Sequence, residues 1–193
     1  MKTSITLFSL LLFFNTGIFA QANQTQLAVI KKNADAFYIP AATIKKFNFK
    51  ATTGSPGRKA YENLANPKLI VLDDYRWEAA SRDEALSWYN DKLNMLEYLG
   101  GNDKDITNKM SSPVGVDAWN VYEMNDEAKK MGEIMGLKQS AYSFTFIVDR
   151  YVAKIYIQVD AVATLKEAWD LAKEGLKATL SASGKTSLAA QVK

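Results

Sequence analysis

The chain contains no cysteine and no histidine. Without cysteine there are no disulfide staples, no thiol nucleophile and no thioether attachment of haem. Without histidine there is no Ser-His-Asp triad, no imidazole general base and no histidine-ligated zinc or haem. Carboxylates, lysines, tyrosines and serines are left to carry any chemistry, and such a set holds only hard cations on oxygen ligands. Long apolar runs are scarce as well. Ile5 to Phe14 is a run of about ten residues, too short to cross a bilayer, and no later segment approaches the roughly 18 residues a span requires.

That run follows Lys2, is broken at Asn15-Thr16-Gly17, and leads to small residues at Ala20 and Ala22. A basic start, a short apolar core and an A-x-A site make a secretory signal peptide. The expectation is a leader over 1–20, cleavage after Ala20 or Ala22, and an exported protein, periplasmic or secreted and soluble, with no transmembrane segment in the mature chain. The net charge of the whole sequence is only +3. The lysine pairs at 31–32, 45–46 and 129–130 share no helical or strand spacing, so they read as solvated surface and not as a nucleic-acid footprint.

The remainder is the length of one domain with a substantial core. Residues 23–180 are expected to form a single α+β domain and 181–193 a flexible C-terminal tail, because composition turns small and polar after Ser181. In the 23–66 stretch, Leu27, Val29, Phe37 and Ile39 are candidate strand positions. Gly54-Ser55-Pro56-Gly57 is an exposed turn, and Lys59 to Ala65 reads as a short helix. Lys68 to Trp77, KLIVLDDYRW, is a strand by its β-branched and aromatic content. Ser81 and Glu84 make a capping box for a helix over Arg82–Leu99, striped by Leu86, Tyr89, Leu93 and Leu96. Val116 to Tyr122 reads as a short strand. Asn125 caps a helix with apolar positions Ala128, Met131, Ile134 and Met135, closed by Gly136. Thr164 and Glu167 cap a last helix, to about Leu180, striped by Leu165, Ala168, Trp169, Ala172 and Leu176.

The hairpin between these helices is the clearest feature. Tyr142, Phe144, Phe146 and Val148 alternate with Ser143, Thr145 and Ile147. Beyond Asp149-Arg150, Tyr151, Ala153, Ile155, Ile157 and Val159 alternate with Val152, Lys154, Tyr156 and Gln158. A two-residue turn at 149–150 sets 148 against 151, 146 against 153, 144 against 155 and 142 against 157. A one-residue slip would turn polar side chains onto the core, so the pattern fixes the register. The fold class is α+β: an antiparallel sheet of about five to six strands, with the Arg82 and Thr164 helices both expected on the Phe144/Phe146 face.

Several local patterns resemble sites and fail on inspection. Gly184-Lys185-Thr186 ends like a phosphate-binding loop, but the required glycine at 179 is Thr179 and a helix precedes it where a strand is needed. Gly54 to Lys59 is glycine-rich and basic, which suits a surface turn better than an anion cradle. Asn102, Asp103 and Asp105 lack the glycine and glutamate of a calcium loop: Asn108 and Val114 stand at those positions. Asp73 and Asp74 are adjacent in a strand and so point to opposite faces, which prevents them from acting as the paired carboxylates of a glycoside hydrolase. Trp88 lies off its helix stripe and is a candidate for part-exposed ligand stacking, whereas Trp77, Trp119 and Trp169 read as core.

Tyr75-Arg76-Trp77 with Ser81 to Ala85, Val114 to Trp119, and Phe144 to Ile157 with the Thr164 helix together resemble exported bacterial domains of the PsbP-like fold group. The similarity spans about 75–180. It implies a sheet packed by helices and an assembly or accessory role without catalysis; shared fold alone assigns no function.

The sequence therefore points to an exported, non-catalytic binding or accessory protein of the cell envelope. A small-molecule or glycan binder and a histidine-free carboxylate hydrolase are the alternatives. No catalytic residue, metal ligand or cofactor is indicated. The expected partners are an envelope protein or a small ligand. The candidate surface is the second hairpin face, Thr145, Ile147, Val152, Lys154 and Tyr156, which is too polar for a second core and too apolar for plain solvent. The competing expectation is that a loop from 23–66 covers it.

Overall fold

The computed structural model describes residues 27–63, 68–91, 103–134, 136, 139–160 and 163–193. Strands β1 (Ala28–Val29), β2 (Lys50–Ala51), β3 (Arg58–Glu62), β4 (Leu69–Glu78), β5 (Lys104–Asp105), β6 (Ala118–Glu123), β7 (Gln139–Val148) and β8 (Tyr151–Asp160) form one antiparallel sheet. Its order is β2-β3-β4-β8-β7-β6-β5, and β1 pairs with the C-terminal end of β4. The helices are α1 (Ala41–Lys46), α2 (Arg82–Asn90), α3 (Asp126–Ile134), α4 (Leu165–Ala182) and α5 (Thr186–Ala189), with 3-10 turns at Ala34–Phe37 and Thr107–Lys109. The sheet is wider than five or six strands because β1, β2 and β5 are two residues each, too short to leave an alternation in the sequence.

The hairpin has the expected register: Val148 opposes Tyr151, Phe146 opposes Ala153, Phe144 opposes Ile155 and Tyr142 opposes Ile157. The turn is two residues. Asp149 adopts a positive φ of 55°, a conformation an aspartate tolerates better than most side chains. Its amide donates to Asp117 Oδ2 at 2.6 Å.

The first face of the sheet is covered by α4. Ala168, Leu171, Ala172 and Leu176 bury against Phe144, Phe146, Ile155 and Ile157, and Trp169 packs 5.9 Å from the Phe144 ring and 6.1 Å from Phe146. The Thr164 hydroxyl accepts from the Glu167 amide at 3.3 Å while Glu167 accepts from the Thr164 amide at 2.8 Å, the reciprocal capping box. Gly175 lets the helix approach the strands: a Cβ there would run into Ile155 and Arg76.

Five expectations are corrected. Lys59 to Ala65 is not a helix. Lys59 to Glu62 lie in β3, paired along β4 with Tyr61 opposite Leu72, where the open edge of a long strand overrides local propensity. The Arg82 helix is not beside α4. It lies on the opposite face, where Ala85 and Trp88 pack on Ile147 and Val152. That face carries enough apolar surface, with Trp77 and Leu27 beside it, to build a second small core. The helix also ends at Asn90, with Asp91 extended at ψ 104°. Leu93 and Leu96 lie outside the described residues. Trp88 is buried, 6.2 Å from the Trp77 ring. The segment from Ser181 is not loose: α4 runs to Ala182, Gly184 turns the chain at φ 85°, and α5 brings Ala189 and Val192 into the main core.

Candidate functional site

The second face of the sheet holds the residues singled out from the sequence. The register places Thr145 beside Lys154, Ile147 beside Val152, and Tyr156 between Ser143 and Asp73. They are brought together, but under cover. Ile147 and Val152 form the core beneath α2, Thr145 and Lys154 are buried, and Tyr156 is half-buried. Helix α2 provides the cover over Ile147 and Val152, not residues 27–63, of which only Leu27 joins this cluster. Asp103 stands near Lys154 and Tyr156, with both carboxylate oxygens buried and without a hydrogen bond. Burial pushes its carboxyl up to about 6, against the pull of Lys154. Burial and the charges of Asp73 and Asp103 push the Tyr156 phenol up to about 12.

Asp73 and Asp74 do diverge. Asp73, on the second face, accepts from Arg58 Nη2 at 2.8 Å and Nε at 3.1 Å. Asp74, on the first, is fully buried and lies 2.7 Å from Arg76 Nη2. That contact is an ion pair whose angle misses hydrogen-bond geometry. Asp74 also accepts from the Ile39 amide at 2.8 Å, and Arg76 Nε donates to the Phe37 carbonyl at 2.7 Å. Burial works against both charges and each opposes that for the other. The pair therefore ties the 37–39 segment to the sheet. Each carboxylate is held by its own guanidinium, on opposite faces of the sheet.

The ion pair fixes one wall of an open cleft of about 790 Å³. Ile39 leaves the pair and leads through Pro40, the N-cap residue with φ −59° and ψ 141°, into α1. Ile44 points inward from α1. Asn48 then turns the chain at φ 62° and presents Phe49. Tyr61 reaches the same space from β3. Ile39, Ile44, Phe49 and Tyr61 are all buried and line the cleft, with Pro40, Ala41 and Ala51. Asp35, Lys45, Asn48, Lys50 and Lys59 make its polar rim. Lys59 is bound to Asp35 at 2.7 Å and sits 4.3 Å from the centre of the Tyr38 ring. Burial, helped by the Asp74 charge, pushes the Tyr61 phenol up to about 12, so it stays neutral at any physiological pH.

Nothing in the sequence marked this cleft. Its lining comes from four short segments, and of its apolar residues only Ile39 was singled out in the sequence, as a candidate strand position. Of the other sequence candidates, Gly184-Lys185-Thr186 forms the α4–α5 turn, with Lys185 Nζ 3.7 Å from Asp117. Among the described residues, no three acidic side chains gather into a metal-binding group, and no helix is long and apolar enough to cross a membrane. No protein-family model, curated protein or solved structure matches the chain.

Proposed function

We propose that this chain is an exported, non-catalytic binding protein of the cell envelope, and that the cleft between α1, β2 and β3 receives a small apolar ligand. One observation carries this: an open, apolar-lined space of about 790 Å³ bounded by Ile39, Ile44, Phe49 and Tyr61. Small-molecule sites have this size and this balance of apolar lining with few polar groups. The commitment of Asp73 and Asp74 to separate arginines on opposite faces weighs against the hydrolase alternative. The burial of Trp88 weighs against glycan stacking there.

An accessory role through a protein partner is the second function the geometry favours. Helix α3 buries none of its residues, and Met131 and Ile134 are 60 % and 79 % exposed. This accords with the role implied by the PsbP-like resemblance.

The neutral fluorophore N-phenyl-1-naphthylamine tests the binding function. The full mature chain is expected to enhance its emission saturably, with one site per chain. Ile44→Asp, checked for native circular dichroism, is expected to abolish the signal. Absence of saturable binding, or equal binding by a folded Ile44→Asp variant, overturns the proposal. Export is tested separately: the N-terminus of the exported protein is expected at Gln21 or Asn23, and a start at Met1 refutes it.

A further inference from the structure

The cleft's rim is charged asymmetrically. We infer that its ligand is a small single-chain amphiphile with one anionic group, its apolar body on Ile44 and Phe49 and its anionic end at Lys45. This inference rests on the binding function proposed above and assigns the chemical class of the ligand.

The first support is charge complementarity. Asp35 is the one acid on the lining, and Lys59 already neutralises it at 2.7 Å. Lys50 lies across the strand pair from Glu62. Lys45, exposed in the last turn of α1, forms no ion pair among the described residues, whereas the lining's Asp35 is held by Lys59. An exposed ammonium beside an apolar trough is a ready partner for a carboxylate, sulfate or phosphate, and such charge-assisted bonds are the stronger kind. The neutral Tyr61 phenol adds a hydroxyl within the lining without adding an opposing charge.

The second support is size. A stable protein partner buries on the order of 1,000 Å² or more of surface in total, around a core patch of apolar side chains. Among the described residues the exposed large hydrophobics are Val29, Val114, Met131 and Ile134, and none of them lines this cleft. Around the trough the surface turns to lysine and asparagine at once. A ligand that stays inside the cleft suits this border, and a flat protein surface does not.

The experiment is competition against N-phenyl-1-naphthylamine on the full mature chain, with three twelve-carbon ligands: dodecanoate, neutral dodecanol and cationic dodecyltrimethylammonium, each below its aggregation limit. Dodecanoate is expected to displace the probe about tenfold more effectively than dodecanol, with the cation weakest. Lys45→Glu is expected to lower dodecanoate affinity about tenfold or more and to leave dodecanol unchanged, and raising the salt should narrow the gap between the two. Equal displacement by dodecanoate and dodecanol, unaltered in Lys45→Glu, overturns the anionic class while leaving the apolar cleft standing. Failure of the probe itself to bind overturns both. Sedimentation with phosphatidylglycerol vesicles separates a membrane surface from a free amphiphile: co-sedimentation that dodecanoate does not compete away refutes the assignment.

Discussion

Asp74 and Arg76 form a buried ion pair that joins the sheet to the 37–39 segment. They are charges 2.7 Å apart with side-chain exposures of 0 % and 1 %. Such a pair returns little net stability, because desolvation consumes the attraction, but removing one member strands the other. Asp74→Ala is expected to cost about 3–5 kcal/mol in urea unfolding. The double variant Asp74→Leu/Arg76→Met is expected to be more stable than the single one; a double variant as unstable as Asp74→Ala would show that the hydrogen bonds to Ile39 and Phe37, not the charges, hold this region. Asp103 behaves in the opposite sense. Its carboxyl is held up at about 6, above its ordinary 3.8. Between those values the folded chain retains a proton that the unfolded chain has lost, so stability falls as pH rises through the window. Asp103→Asn is therefore expected to raise Tm above pH 6, with the gain shrinking as pH falls and gone below 3.8. Melting curves across that range check it, and a pH-independent gain would place the effect elsewhere.

At the scale of elements, the end of the chain is where physical packing departs most from composition. Residues 181–193 are rich in Ser, Ala and Lys, and a small, polar stretch has no period to announce a packed helix. The structure holds it in two ways: Ala189 and Val192 enter the core, and at the surface the Trp169 indole donates to the Lys193 carbonyl at 3.2 Å. Removing 184–193 is expected to lower stability by about 2–3 kcal/mol, mostly from Val192 and the Leu180 surface it uncovers. An unchanged urea midpoint would restore the loose tail that composition suggests. The hairpin is the contrasting case. Alternation over two ten-residue strands leaves one register that keeps polar groups off the core, so it was legible to the residue. Helix α2 was legible as a capped helix from Ser81, but amphipathicity shows only that one stripe is buried. It does not say on which face of the sheet, and Ile147 with Val152 made the second face an equally good destination. Strand β3 was illegible because its identity comes from the edge of β4 and not from its own five residues.

For the whole molecule, the site was the least readable feature, because Ile39, Ile44, Phe49 and Tyr61 come from separate short segments that line one cleft only in the folded chain, with the Asp74–Arg76 pair anchoring the 37–39 segment. That dependence yields a test that uses no probe and no variant. A ligand that binds only the folded chain stabilises it by RT ln(1 + [L]/Kd), about 2.7 kcal/mol at a hundredfold excess over Kd. For a chain of this size each kcal/mol moves Tm by about 2–4 °C. Dodecanoate at that excess is therefore expected to raise Tm by about 5–10 °C, and the shift is expected to grow with the logarithm of its concentration. The cleft is built by the N-terminal segment, so its amides should gain the most protection from hydrogen exchange. Protection centred on 39–51 and 59–61 places the ligand in the cleft. Protection centred on 143–156 instead would return the site to the second face, to Lys154 and Tyr156. A fall in Tm would mark dodecanoate as a denaturant and remove the amphiphile from consideration.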